Sequence, residues 1–193
     1  MIVVLCGKSC SGKDSIGREL RKLGYKQILS TTTRPMRDNE TDGVEYEFTS
    51  LFDFMERKDN GEFLETRKYY PSLIKEKNTV WWYGSVLSRY REAEKNTENK
   101  YYAILTPDAL EKLKGSCIEH ESFYIKVSDE TIKARQIIRG DDKCEAERRF
   151  QADKIDFQNI ENQVDHVIKN DGNMTPLITA ILIDVLSERE NIE

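Results

Sequence analysis

The first clear hydrophobic run is IVVLC at positions 2–6, which predicts a strand buried on both faces, as a covered parallel sheet requires. From Lys13 the period changes to that of a helix. Ile16, Leu20 and Leu23 share one face, Arg18, Arg21 and Lys22 point elsewhere, and Gly24 closes the element. A strand is expected near 26–30. A polar, turn-rich stretch over roughly 31–85 then predicts short strands around 44–48, 62–66 and 79–83 and a helix near 50–58. Beyond it strand and helix patterns alternate: YYAILT as a strand, PDALEKLK as a helix with proline in its first turn, and SFYIKV as a strand. SDETIKARQIIRG reads as a helix with Ser128 as N-cap, acids in its first turn and Gly140 at its end. A charged helix over about 144–160, the short strand DHVIKN and a last helix opened by Thr175 and Pro176 complete the pattern. The apolar face of that last helix is expected to be Leu177, Ile178, Ile181, Leu182 and Val185. Such alternation predicts an α/β fold with a parallel sheet covered on both sides, into which 31–85 is inserted as a lobe.

Composition narrows the class. With 193 residues, 34% charged and 38% apolar, the chain has the profile of a folded domain with a sizeable core. The net charge of -5 argues against nonspecific nucleic-acid binding, and no apolar run approaches membrane-spanning length. The four cysteines, Cys6, Cys10, Cys117 and Cys144, lack paired metal-ligand spacing, so reduced thiols in a cytoplasmic setting are the expectation.

Candidate chemistry starts where the first strand ends. Gly7-Lys8-Ser9-Cys10-Ser11-Gly12-Lys13 fits the phosphate-binding loop G-x-x-x-x-G-K-[ST] up to its last position. A strand leads in and an amphipathic helix leads out, the context this motif requires. Glycines let successive N–H groups face one centre, the helix start adds its positive dipole end, and Lys13 supplies a full charge to the outer phosphates. The expected hydroxyl is replaced by Asp14, with Ser15 next. A carboxylate there is a hard ligand suited to magnesium, held directly or through its water shell, while Ser15 contacts a phosphate oxygen. The alternative is a helix-capping acid that points away.

A second anion site is suggested by STTTRPMRDNETDGVEYEF, where Arg34 and Arg37 stand beside hydroxyl residues and Tyr46 follows an Asp42–Gly43 turn. Two arginines and a tyrosine can surround a dianionic phosphate; a solvated turn is the alternative on spacing alone. This block and the 2–23 strand, loop and helix resemble the guanylate kinase family, whose members carry TTR-P-x-R…E…DG-x-x-Y-x-F after their phosphate loop. NGEFLE, WYGS, the RG at 139–140 and DHVIKND are similar to further family segments, so the resemblance touches nearly the whole length.

The resemblance implies a P-loop three-layer αβα fold with a core over 1–30 and 86–193, a nucleoside-monophosphate-binding lobe over about 31–85 and a lid near 138–150. It implies phosphoryl transfer from ATP, with magnesium, to GMP or dGMP, these small-molecule nucleotides being the expected partners. Carried over by residue, Gly7 to Ser15 and Asn170 would bind ATP. Arg34, Arg37, Tyr46 and Tyr83 would hold the monophosphate. Ser30, Glu65 and Ser85 would line the base pocket, with Asp108 nearby. Lys13, Arg135, Arg139 and Arg149 would stabilise the transferred group, and of the adjacent Arg148 and Arg149 only one need face inward. Guanine chemistry agrees: its N1–H and exocyclic amine are adjacent donors that one carboxylate can accept together, whereas adenine would leave Glu65 unpaired.

Three departures qualify the match. Asp14 is one; similar GKD loops occur in ribose 1,5-bisphosphate phosphokinases, which makes a sugar-phosphate kinase the second reading and a noncatalytic binding module of this fold the third. KYYPSLIKEKNTVWW lengthens the connection between Glu65 and Tyr83 by about nine residues, a tolerable extension in principle, with Trp81 and Trp82 expected to pack the lobe. In ILTPDAL, Asp108 matches the second acid of the family's L-D-x-D, but Thr106 replaces the first.

Overall fold

In the computed structural model, which describes residues 1–38, 40–70 and 80–189, strands and helices alternate through most of the chain. Five strands form one parallel sheet: β1 (Ile2–Cys6), β2 (Lys26–Gln27), β7 (Tyr101–Ile104), β8 (Glu121–Lys126) and β9 (His166–Lys169), in the order β2-β7-β1-β8-β9. The first strand is thus the central one, paired with β7 on one side and β8 on the other.

Its alternation builds two cores. Ile2, Val4 and Cys6 point to one face, where they meet Tyr90 and Ala93 of α3 (Leu87–Lys95) and Leu110 and Leu113 of α4 (Pro107–Gly115). Val3 and Leu5 point to the other, against Ile16 and Leu20 of α1 (Lys13–Lys22) and Ala180 and Ile183 of α7 (Pro176–Arg189). Leu20 and Leu110 are wholly buried, and each such side chain stabilises the fold by about 1.5–3 kcal/mol. Helices on both faces complete three layers.

The ends of these helices follow from local chemistry. Gly24, at φ 91, closes α1, and the Tyr25 amide donates back to the Leu20 carbonyl. Thr106, where the family pattern has an acid, is the N-cap of α4, its hydroxyl accepting from the Ala109 amide, with Pro107 in the first turn. Ser128 caps α5 (Asp129–Arg139) through the Thr131 amide, and Gly140 ends it in the left-handed region. Between them, α5 and α6 (Lys143–Asp156) carry the arginines singled out above.

A second, smaller sheet is drawn from β3 (Thr31–Thr32), β4 (Glu47–Phe48), β5 (Phe63–Tyr69) and β6 (Trp81–Val86), in the order β4-β3-β6-β5. Helix α2 (Leu51–Asp59) sets Phe54 under it, stacked on Phe63 with 4.5 Å between ring centroids. Trp82 packs against Phe54 at 5.9 Å, as expected for a packing residue. Residues 71–79 of the lengthened connection lie outside the described residues.

Two expectations are corrected. Helix α3 has no counterpart in the hydrophobic pattern as read, because its apolar Leu87, Tyr90 and Ala93 are scattered among charges. Of the face assigned to α7 only Leu182 packs against the core; Leu177, Ile178, Ile181 and Val185 are 41–51% exposed, while Thr179, Ala180, Ile183 and Ser187 are buried. The helix is apolar nearly all round, so periodicity could not choose a side.

Candidate active site

Strand β1 delivers the chain into the glycine loop. Gly7 has no room for a side chain, since a Cβ there would lie 2.5 Å from the Ser11 hydroxyl and 3.0 Å from the Ile125 carbonyl. Gly12 adopts φ 98, and a Cβ would come 2.8 Å from the Asn170 amide nitrogen. Cys10 takes φ 61, and the Ser11 amide closes the turn on the Lys8 carbonyl at 3.1 Å. No side chain caps α1, which leaves its first amides without a side-chain acceptor, the arrangement that attracts anions.

Lys13 lies across this turn. Its Nζ donates to the Gly7 carbonyl at 2.6 Å, the Lys8 carbonyl at 2.9 Å and Ser11 Oγ at 3.2 Å. Burial lowers its pKa, opposed by the carboxylates of Asp14 and Asp153. Asp14 itself is exposed, and Ser15 Oγ accepts from Arg18 at 3.1 Å. A cavity of about 300 Å³ opens beside the loop, lined by Gly12, Lys13, Asp14, Arg135, Arg139 and Asn170, among others.

Asn170 and Arg135 brace the loop from outside. The Asn170 side-chain amide donates to the Ser11 carbonyl at 2.9 Å, and Arg135 bridges the Cys10 carbonyl at 3.0 Å and the Asn170 carbonyl at 2.7 Å. Two further contacts were not anticipated from sequence. Lys8 pairs with Asp129 at 3.1 Å, and the Ser9 amide donates to the Asp153 carboxylate of α6 at 2.6 Å. Asp153 stands one helical turn after Arg149, and that spacing is the signal that could have found it.

The small sheet holds the second cluster. Arg34 is 5% exposed, and its guanidinium donates to both oxygens of Glu40 at 2.7 and 2.8 Å and to the Pro35 carbonyl at 2.7 Å. It also lies 5.5 Å from the ring centres of Tyr46 and Phe48. Burial opposes the Arg34 charge, but Glu40 and Tyr83 outweigh it and the pKa is raised. Tyr46 and Tyr83 meet edge to face at 5.9 Å. Arg37, expected to close around the same phosphate, instead remains 59% exposed, 4.0 Å from Glu40, because Arg34 and the Arg37 backbone amide already use that carboxylate. Glu40, inside the arginine-rich stretch, was the overlooked partner.

Deeper in the lobe, Glu65 and Ser85 face each other across the β5–β6 pair, Ser85 Oγ donating to Glu65 Oε1 at 3.2 Å. Glu65 Oε2 is buried and has no hydrogen-bond partner. Burial raises the Glu65 pKa, with the Asp108 carboxylate adding to the effect. Tyr90, also unforeseen, is buried in the core five residues after Ser85. The backbone of Ser30 joins β4 by accepting from the Glu47 amide at 3.0 Å. Asp108 is exposed, paired with Lys112 at 3.0 Å, and lines a separate cavity with Thr66, Arg67 and Asp156.

Burial pushes the Tyr46 hydroxyl up to about 12, and the Asp14 carboxylate at the loop contributes next. On the far side, Arg139 pairs with Asp141, and Arg149 Nε donates to Tyr69 Oη at 2.8 Å and Glu145 Oε1 at 2.6 Å. Asp141 has its pKa lowered chiefly by Arg139, with Arg149 and Arg37 contributing. Arg135 and Arg139 of α5 line the cavity beside the loop, and Arg149 of α6 contacts Tyr69 of the small sheet, so α5–α6 touches both regions.

A parallel sheet with this loop at its centre and a small arginine-bearing sheet beside it is the P-loop nucleoside monophosphate kinase fold. The crystal structure of guanylate kinase from Anaplasma phagocytophilum superimposes on it with a TM-score of 0.71 over 100% of this chain and 87% of that one, at 19% identity. The chain belongs to the guanylate kinase family, whose model matches residues 1–177. It is 31% identical over 179 residues to the guanylate kinase of Symbiobacterium thermophilum, covering 89% of this chain and 78% of that protein. It is 32% identical over 154 residues to that of Clostridioides difficile, covering 78% and 70%. These matches favour a nucleotide kinase over the sugar-phosphate kinase and the noncatalytic module.

Proposed function

We propose that this chain transfers the γ-phosphoryl group of ATP to GMP or dGMP, giving the diphosphate and ADP. The observation that carries this reading is the buried, unpartnered Oε2 of Glu65 beside Ser85. A buried carboxylate oxygen without a donor is costly, and the adjacent N1–H and amino group of guanine satisfy it.

Residues 1–30 and 86–193 serve as the core, 31–85 as the acceptor lobe and 138–150 as a lid. The loop amides, Lys13 and Asn170 hold the donor nucleotide. Arg34, Tyr46 and Tyr83 hold the acceptor phosphate, with Arg37 joining them from solvent, while Asp108 belongs to the base side, where its carboxylate acts on Glu65. Ser30, Glu65 and Ser85 read the base. Arg135, Arg139 and Arg149 neutralise charge on the transferred group. The acceptor oxygen already belongs to a phosphate dianion, so no strong general base is needed, and closure excludes water that would compete with it.

The residues fit magnesium: Asp14 is an exposed carboxylate at the cavity edge beside Lys13, and this ion is ordinarily bound by one or two carboxylates, several waters and substrate phosphates. Asp14 would hold magnesium directly or through water, and the ion would supply positive charge to the donor phosphates. No helix among the described residues is long and apolar enough to cross a membrane, which suits work on small nucleotides in the cytoplasm.

A coupled assay offering GMP, dGMP, AMP and ribose 1,5-bisphosphate in parallel, with ATP and magnesium, tests the reading. Turnover with the guanine nucleotides alone is expected; turnover with the sugar, or with nothing, overturns it. In Asp14→Ala the magnesium concentration for half-maximal rate should rise several-fold, about the loss of one charged contact. An unchanged requirement would make Asp14 a helix cap only.

A further inference from the structure

The lengthened β5–β6 connection is the departure that the phosphotransfer reading leaves unused, and its described base touches the arginine helix. Strand β5 runs on past the Glu65 site to Tyr69, which pairs in register with Trp81 of β6. The Tyr69 and Trp81 rings stack at 5.9 Å with only 7° between planes, and Tyr69 meets Tyr83 edge to face at 6.4 Å. A ring held from two sides has little rotational freedom, so its hydroxyl is fixed in direction.

That hydroxyl accepts from Arg149 Nε at 2.8 Å. The neighbouring Arg148 guanidinium lies 4.4 Å from the Tyr69 ring centre. Arg67, on the same face of β5 two residues earlier, forms an ion pair with Asp156, two turns further along α6. One edge of the acceptor lobe is therefore docked along one side of α6 at two places.

The Arg149 Nε–H is shared between two acceptors. One is Glu145, a turn back on its own helix; the other is Tyr69 of the lobe. Deprived of Tyr69, the guanidinium is left to Glu145, which draws it along α6. We propose that Tyr69 is a positioning residue: its hydroxyl sets the Arg149 guanidinium toward the acceptor side, so that the arginine is in place only when the lobe is docked. The proposal rests on the phosphotransfer reading above.

The test is steady-state kinetics on the full chain for wild type, Tyr69→Phe, Arg149→Ala and the double variant, with thermal melting of each. Tyr69→Phe keeps the ring contacts with Trp81, Tyr83 and Arg148 and removes only the acceptor. It should lower kcat about tenfold, since a small misplacement of a catalytic group is costly, while KM for GMP and the Tm stay near wild type. In the Arg149→Ala background the same substitution should do nothing further. Breaking the Arg67–Asp156 tie with Arg67→Gln should lower kcat by a smaller factor.

An active wild type with an unimpaired Tyr69→Phe overturns the inference alone, as do effects of the two substitutions that simply multiply. A loss in Tyr69→Phe seen wholly as a raised KM for GMP also overturns it, because Tyr69 would then be a substrate contact. A wild type inert toward GMP overturns the underlying reading and the inference with it.

Discussion

In the proposed donor site around the glycine loop, the groups offered to an anion are main-chain amides of residues adjacent in sequence, with Lys13 laid across the turn. In the proposed acceptor site of the small sheet they are side chains from β6 and the segments flanking β3 and β4, held by a buried Arg34–Glu40 pair. The first site is shaped by backbone geometry, so it tolerates any side chain that leaves Gly7 and Gly12 their space. The second exists only if a charge network closes correctly. A main-chain site fails by steric intrusion, whereas a side-chain site fails by losing one partner and exposing the cost of the other.

Three substitutions sharpen that contrast. Lys13→Ala keeps both loop glycines but removes the ammonium that lies across the turn and its three ties to the loop; kcat should fall by roughly 10²–10³-fold with KM for GMP little changed. A loss of only a few-fold would mean that the main chain alone does the work at the donor site.

Glu40→Ala strands the buried Arg34 guanidinium and should cost about 3 kcal/mol in folding stability, measured by denaturant unfolding. Although burial pushes the Glu40 pKa up, hydrogen bonds from Arg34 and the Arg37 amide prevail and it is lowered on folding. The pair's stabilisation is thus present above the ordinary carboxylate range and lost as pH falls through the lowered value. The variant should show a flatter acid limb than wild type. Equal stability of the two at neutral pH would remove the network from the account of the acceptor site.

Glu65→Gln has the smallest expected effect, a 10- to 100-fold fall in kcat/KM for GMP, about the value of hydrogen bonds to a charged acceptor. Here the sign of the linkage reverses. Burial raises the Glu65 pKa, so the folded protein binds this proton more tightly than the unfolded chain, and stability declines as pH rises from the ordinary carboxylate value through the raised one. The glutamine variant should therefore melt higher at neutral pH while working less well. In wild type, KM for GMP should rise on acidification at a higher pH than an ordinary carboxylate would give. A variant that loses both activity and stability would show that Glu65 is a structural acid.

Legibility in the sequence divides along the same line. The loop could be read because all its determinants lie within a few residues: a five-residue apolar strand, two glycines and an amphipathic helix. Gly140, Ser128 and the Thr175–Pro176 helix start were legible for the same reason. Glu65 and Arg34 came from the resemblance, since their burial depends on β6 pairing with β5 and β3. Asp153 and Tyr69 were missed because their partners, Ser9 and Arg149, are brought to them by tertiary approach across 144 and 80 residues of chain, whereas Glu40 sits within six residues of Arg34 and was missed because an irregular loop has no period to show which side chains meet. Helix α7 shows the limit from the other side: with apolar residues all round, nothing local decided which face α1 would cover.

The central place of β1 carries a kinetic consequence. Val3 is in register with Tyr102 and with Glu121, so the loop's supporting strand must wait for partners roughly a hundred residues downstream. Closing such spans before any pairing is rewarded is slow, and contacts of this separation lengthen the search for the native state. During refolding, nucleotide affinity should therefore emerge late, after helices such as α1 have already gained their signal.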